Sequence, residues 1–133
     1  MNPVLVVILA GINDIAGNTG PSSLKIIMNN IESMAELARS NDIRVIISSV
    51  LPALDFPWNR GLEPAQKVIK LNKMLKEYCS KEKRYYLDYF SHMVDVQDRL
   101  KAEYTYDGVH PNKARYKAMA PLAKSAVDSV LND

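Results

Sequence analysis

The sequence predicts an α/β domain of three layers, a parallel sheet with helices on both faces. Two observations carry this. Apolar, β-branched runs alternate with stretches of helical period, strand then helix, three times along the chain. Hydrophobic residues make up 47% of the 133 residues and charged ones 24%, a globular balance that excludes disorder. The length fits one domain over residues 1–133.

The elements follow in order. Val4–Ala10 is an unbroken apolar run closed by Gly11, the pattern of a strand covered on both faces. "GINDIAGNTGPSS" is a loop, and Ser22 or Ser23 can cap the helix after it. That helix runs to about residue 40. Ile27, Met28, Ile31, Met34, Ala35 and Ala38 recur on it at helical spacing, with Met28 and Met34 read as core filler. "DIRVIISSVLP" is a second strand, Arg44 to Val50, ended by Pro52. "ALDFPWNRGLEP" is an irregular loop holding Phe56, Arg60 and the only tryptophan, Trp58.

A second helix spans about Glu63 to Lys81, with Val68, Leu71, Met74, Leu75 and Tyr78 on one stripe. "RYYLDYF" is a short third strand, and a helical or irregular piece runs from it to Leu100. "YTYDGVHPNKARY" is a loop, and a last helix covers about Asn112 to Leu131. Pro121 inside it is expected to kink the helix or break its bonding locally. Alternation of this kind implies parallel strands and right-handed crossovers. The first strand has the sequence of an inner strand yet no predecessor, so the expectation is a fold truncated at its N-terminal side.

Composition removes several function classes. The formal charge is +2 and the basic residues are scattered, so nucleic acid is not an expected partner. The single cysteine, Cys79, allows no internal disulfide and falls on the apolar side of a helix, where it reads as a small buried hydrophobe. No apolar stretch is long enough to span a membrane. No basic region precedes the first apolar run, so no secretory signal is visible, and the compartment stays open, a secreted or periplasmic parent included.

Two short stretches carry candidate chemistry. Ligand sites in open parallel sheets lie beyond the carboxyl ends of the strands, where Gly11-Ile12-Asn13-Asp14 stands. The Asn13 amide is a fixed donor suited to a developing oxyanion; equally, Asn13 and Asp14 can simply close the turn. In Asp107-Gly108-Val109-His110-Pro111-Asn112, Asp107 is placed to fix the tautomer of His110 and stabilise its protonated form. The alternative is a helix-leading loop with no chemistry. His92 has no motif around it and reads as a surface or structural residue. Asp14, Asp107 and His110 lack the tight spacing of a metal site.

Together these two stretches resemble the third and fifth sequence blocks of the SGNH hydrolases, also called the GDSL lipase/esterase family. Their order, separation and placement after a strand and before the final helix match. The resemblance covers the whole chain as the back two-thirds of such a domain, with a flavodoxin-like sheet. It implies a serine esterase acting on a small ester through an acyl-enzyme, with no metal or organic cofactor. On that resemblance His110 is the general base and acid, Asp107 orients it, and Asn13 donates to the oxyanion. Gly11, Phe56, Trp58 and Arg60 are the expected substrate-binding residues; Trp58 reads equally well as a residue that pins its own loop.

The family's Gly-Asp-Ser nucleophile block is absent from this sequence. Ser48 and Ser49 stand near the right strand end but lack a glycine-flanked elbow, so neither reads as a substitute. The chain alone is therefore expected to be inactive or nearly so. An uncovered Val4–Ala10 edge is expected to pair with its own copy, giving a homodimer or higher assembly. The competing reading is a non-catalytic interaction module derived from the same fold.

Overall fold

The structure, a computed structural model, describes residues 3–10, 24–52, 64–94, 101–104 and 112–132. Within these lie β1 (Leu5–Ile8), α1 (Leu24–Ser40), β2 (Arg44–Ser48), α2 (Pro64–Lys81), β3 (Tyr85–Leu87), α3 (Phe90–Met93), a 3₁₀ turn (Ala102–Tyr104) and α4 (Lys113–Leu131). The strands form one parallel sheet in the order β1-β2-β3. Leu5 pairs with Arg44 and Ile8 with Ile47 across the first pair, and Ile46 with Tyr85 and Ser48 with Leu87 across the second.

Alternation along the strands builds two cores. Val6, Ile8, Val45, Ile47 and Tyr86 face one way and meet Ile27, Met28, Ile31 and Ala35 of α1 and Val68, Leu71, Leu75 and Cys79 of α2. Leu5, Val7, Ile46 and Leu87 face the other way, against Met93 of α3 and Leu122, Ala126 and Val130 of α4. The result is the three-layer α/β/α arrangement with a parallel sheet. Ile46 and Ile47 of the central strand are both fully buried, one on each face. Burying such a side chain contributes about 1.5–3 kcal/mol.

Several expectations change in detail. β1 is shorter than Val4–Ala10 and is covered only in part, although it packs against helices on both faces. Leu5, Val6 and Val7 are half-buried, while Val4 and Leu9 are 65% and 45% exposed. Among the described residues β1 has a strand neighbour on one side only. β2 stops at Ser48 rather than Val50 because the Val50 backbone bonds a side chain instead of a strand. Asn72 of α2 accepts from the Val50 N–H at 2.7 Å and donates to its C=O at 3.0 Å.

Met28 is buried as expected, but Met34 is 42% exposed and lies outside the core. It sits about 60° round the helix from Ile31, at the border of the apolar stripe. Pro121 does not divide the last helix, which runs unbroken from Lys113 to Leu131.

Candidate active site

The direction of α4 relative to the sheet decides which loops gather together. Arg44, the first residue of β2, donates from Nη1 to the carbonyl of Val130 near the end of α4. A cation there also suits the negative end of the helix dipole. The carboxyl end of α4 therefore lies at the amino end of the parallel strands. Its first turn, about 28 Å away for nineteen residues, lies at their carboxyl end. Three segments consequently depart from one edge of the sheet. The chain leaves β1 through Leu9 and Ala10, leaves β2 through Val50–Pro52, and enters α4 through Asn112.

The departures from β2 and into α4 are held by hydrogen bonds. Ser49 extends the β2–β3 ladder through its N–H to the Leu87 carbonyl at 2.9 Å. Its hydroxyl accepts from the N–H groups of Tyr89 and Phe90 at 3.0 and 2.9 Å, which ties the turn after β3 to the end of β2. Asn72 pins Val50 on the next residue. After β3, Asp88 accepts from both the N–H and the hydroxyl of Ser91, at 3.0 and 2.6 Å, and so starts the short α3.

At α4, Asn112 is the N-cap. Its Oδ1 accepts from the Arg115 N–H at 3.0 Å, its Nδ2 donates to the Glu103 carbonyl at 3.0 Å, and its own N–H donates to the Tyr104 carbonyl at 3.3 Å.

Gly11, Asn13, Phe56, Trp58, Arg60, Asp107 and His110 all lie outside the described residues, as do Asp14, Ser22 and Ser23. The described ends of their segments are Ala10, Pro52, Tyr104 and Asn112. The two serines near the end of β2 have structural roles. Ser48 and Ser49 are buried, and the Ser48 hydroxyl donates to the Ser49 carbonyl at 2.9 Å. A hydroxyl with no exposure and two N–H groups on its oxygen, as at Ser49, is not positioned to attack a substrate. His92 is exposed on α3.

Cys79 is buried, and burial pushes its thiol up to about 11, the environment of an inert thiol. Among the described residues no three metal-ligating side chains converge, and no helix is long and apolar enough to cross a membrane.

A second polar cluster lies at the opposite edge of the sheet. Arg84, just before β3, bonds Glu36 of α1 at 2.6 Å and donates from Nε to the Tyr78 hydroxyl at 3.1 Å. Its guanidinium lies 5.7 Å from the centre of the Tyr78 ring. The Arg84 hydrogen bond is the main cause holding the Glu36 carboxyl below its usual range. These groups tie α1 to α2 and the start of β3, far from the loops at the carboxyl edge.

Sequence reasoning missed Asn72 and the roles of Ser49 and Asn112. Asn72 had a signal, because it falls four residues after Val68 on the buried stripe, where an amide needs partners. For Ser49 the partners are forty residues away, and for Asn112 the Glu103 and Tyr104 carbonyls lie across a loop, so residue spacing does not identify these bonds.

The comparisons agree with this architecture. A model of the GDSL-like lipase/acylhydrolase family matches residues 1–118. The crystal structure of a GDSL-like lipase from Bacteroides thetaiotaomicron VPI-5482 is 43% identical, with a TM-score of 0.92 over 96% of this chain and 63% of that one. A candidate acylhydrolase from Bacteroides fragilis NCTC 9343 is also 43% identical, with a TM-score of 0.93 over 97% and 63%. An acetyl-xylooligosaccharide esterase from Geobacillus (its W190I mutant) shares the fold at 15% identity, with a TM-score of 0.74 over 95% of this chain and 60% of that one. No curated protein matches the chain. The chain spans 63% of the length of the two Bacteroides structures. On its family match and its fold, the chain belongs to the GDSL-like lipase/acylhydrolase family.

Proposed function

We propose that this chain, read as a single domain over residues 1–133, carries the acid–base and oxyanion-binding part of an ester-hydrolysing site. A nucleophilic serine outside these residues completes it. The observation that supports this is the common edge. The segments that hold Asn13, Phe56–Arg60 and His110 all start or end at the carboxyl side of the sheet.

In this reading His110 takes the proton of the attacking hydroxyl as the serine oxygen bonds the ester carbonyl carbon. Asp107 holds the imidazole in the productive tautomer and stabilises it when charged. The Asn13 amide donates to the carbonyl oxygen as negative charge collects there. Collapse breaks the bond to the alcohol, which leaves with the proton from His110. Water then repeats the sequence on the acyl-enzyme. Gly11 leaves room at the strand end, and Phe56, Trp58 and Arg60 border the acyl or sugar group. The scheme uses no metal or organic cofactor.

The test is hydrolysis of p-nitrophenyl acetate. The 133-residue chain alone is expected to stay at background. A longer chain supplying a Gly-Asp-Ser block is expected to turn over and to lose about 10³-fold or more with His110→Ala. An extended chain whose rate is unchanged by His110→Ala overturns the reading.

A second reading, a self-associating module, is favoured by one surface. The edge of β1 that has no strand neighbour among the described residues carries no charge from Pro3 to Ala10, and α1 continues it. α1 lies over β1 and β2, with α2 on its other side. Charged Lys25, Glu32, Glu36 and Arg39 fall together on one side of α1, from which Glu36 reaches Tyr78 and Arg84. The flank away from α2 holds Ile26, Asn30, Ser33, Met34 and Leu37, with Ile26 and Leu37 52% and 66% exposed.

A two-fold axis normal to the sheet would pair β1 with its copy and bring the two α1 flanks together on the same face, with no charges opposed. Light scattering of the 133-residue chain at micromolar concentration is expected to give a dimer mass that Leu37→Glu reduces to a monomer. A monomer before substitution overturns this reading.

A further inference from the structure

Among the described residues Asn112 finds partners for its backbone N–H and C=O and for both arms of its side-chain amide. Its N–H meets the Tyr104 carbonyl at 3.3 Å, and its carbonyl accepts the first helical bond from Tyr116 at 3.2 Å. Its Oδ1 caps α4 at Arg115, and its Nδ2 reaches the Glu103 carbonyl at 3.0 Å. Two of these bonds run backwards across residues 105–111. The chain thus departs at Tyr104 and returns at Asn112 within a single hydrogen bond, and the segment between these two points contains Asp107 and His110.

We propose that Asn112 is a positioning residue for the Asp107–His110 pair, clasping the two ends of the segment that carries both. The inference rests on the reading of that pair given above. Its physical basis is loop closure. An imidazole and a carboxylate bond over a narrow range of distance, and a seven-residue segment with free ends spends little of its time in one such geometry. Fixing both ends to each other and to the first turn of α4 removes most of that freedom before the two side chains meet.

The residue type supports the role. Serine, threonine and aspartate cap helices about as well as asparagine. Among these four cap residues only asparagine accepts on one side-chain atom and donates from another, so only it can cap α4 and hold Glu103 at once with separate atoms. Aspartate keeps the acceptor and loses the donor. Serine keeps one oxygen, which cannot stand in both places that the two arms of the amide occupy.

The test reads the pairing itself by NMR titration of the 133-residue chain. The chain has two histidines, and His92, exposed on α3, serves as the internal reference. With Asn112 present, Asp107→Asn is expected to lower the His110 midpoint by about one pH unit or more, as loss of a nearby carboxylate should. In the Asn112→Ser background the same Asp107→Asn step is expected to shrink to about half or less.

Asn112→Asp, which keeps the cap, is expected to shrink it likewise; taking the difference cancels the added charge, and a retained helical circular dichroism signal shows the fold intact. A step of equal size in all three backgrounds overturns the positioning role and leaves the pair standing. No step even with Asn112 present overturns the pair, and the clasp with it.

Discussion

Asn72 serves Val50 as a neighbouring strand would, offering an acceptor to its N–H and a donor to its C=O. Asn72 and Val50 are both buried, so water does not replace the amide if it is removed. Asn72→Ala is expected to lower stability by about 2–4 kcal/mol, since two buried backbone groups lose their partner. Urea unfolding measures this, and a loss under about 0.5 kcal/mol would show that Val50 rearranges to bond elsewhere. Ser49 works on the same scale. Its hydroxyl sits where a catalytic serine might be sought at a strand end, yet it is fully buried and holds two N–H groups of the following turn. Burial and partners, rather than residue type, assign its role.

The helices over the first core end in the same way. α1 closes with the Ile43 N–H on the Ala38 carbonyl at 3.0 Å, and α2 with the Arg84 N–H on the Cys79 carbonyl at 2.8 Å. Each closure passes through a left-handed residue, Asp42 at φ 59° and Lys83 at φ 56°. Aspartate tolerates that region by bonding locally, but lysine has no such compensation. Lys83→Gly is therefore expected to stabilise the chain by about 0.5–1 kcal/mol, the left-handed cost less the added freedom of the unfolded glycine. A fall in thermal midpoint on this substitution would mean that the lysine side chain contributes more than its backbone costs. These closures place Arg44 and Arg84 at the entrances of β2 and β3, where one binds the end of α4 and the other ties α1 to α2.

For the whole molecule, the buried layer between the sheet and the first two helices sets an alkaline limit. Burial pushes Cys79 up to about 11 and is the main cause that pushes Tyr86 up to about 12, with the Asp88 charge adding to the second. Both groups are neutral when folded and ionise more readily when unfolded. Their contribution is therefore fully present below the unfolded values, 9.0 and 10.0, and is lost as pH rises through the folded ones. Stability is expected to hold to about pH 9 and decline beyond it, and Cys79→Ala with Tyr86→Phe is expected to flatten that decline. Denaturant unfolding across pH 8 to 11 tests this, and an unchanged slope in the double variant would move the cause elsewhere.

The alternation of strand and helix, the parallel sheet and the buried stripes of α1 and α2 were legible in the residue order. Periods of two and 3.6 are local, so Val45 to Ile47 or Val68, Leu71 and Leu75 announce their faces without any knowledge of what covers them. The candidate chemistry of Asn13, Asp107 and His110 was legible as motif for the same reason, being written in short contiguous stretches. Assembly alone settled the rest. Met34 emerged on an uncovered flank, β1 was left half-buried, the Ser49 hydroxyl was consumed by a turn forty residues away, and Asn112 reached back to Glu103. In each case the outcome depends on a partner remote in sequence, and whether a polar or apolar group is satisfied is a property of the space around it.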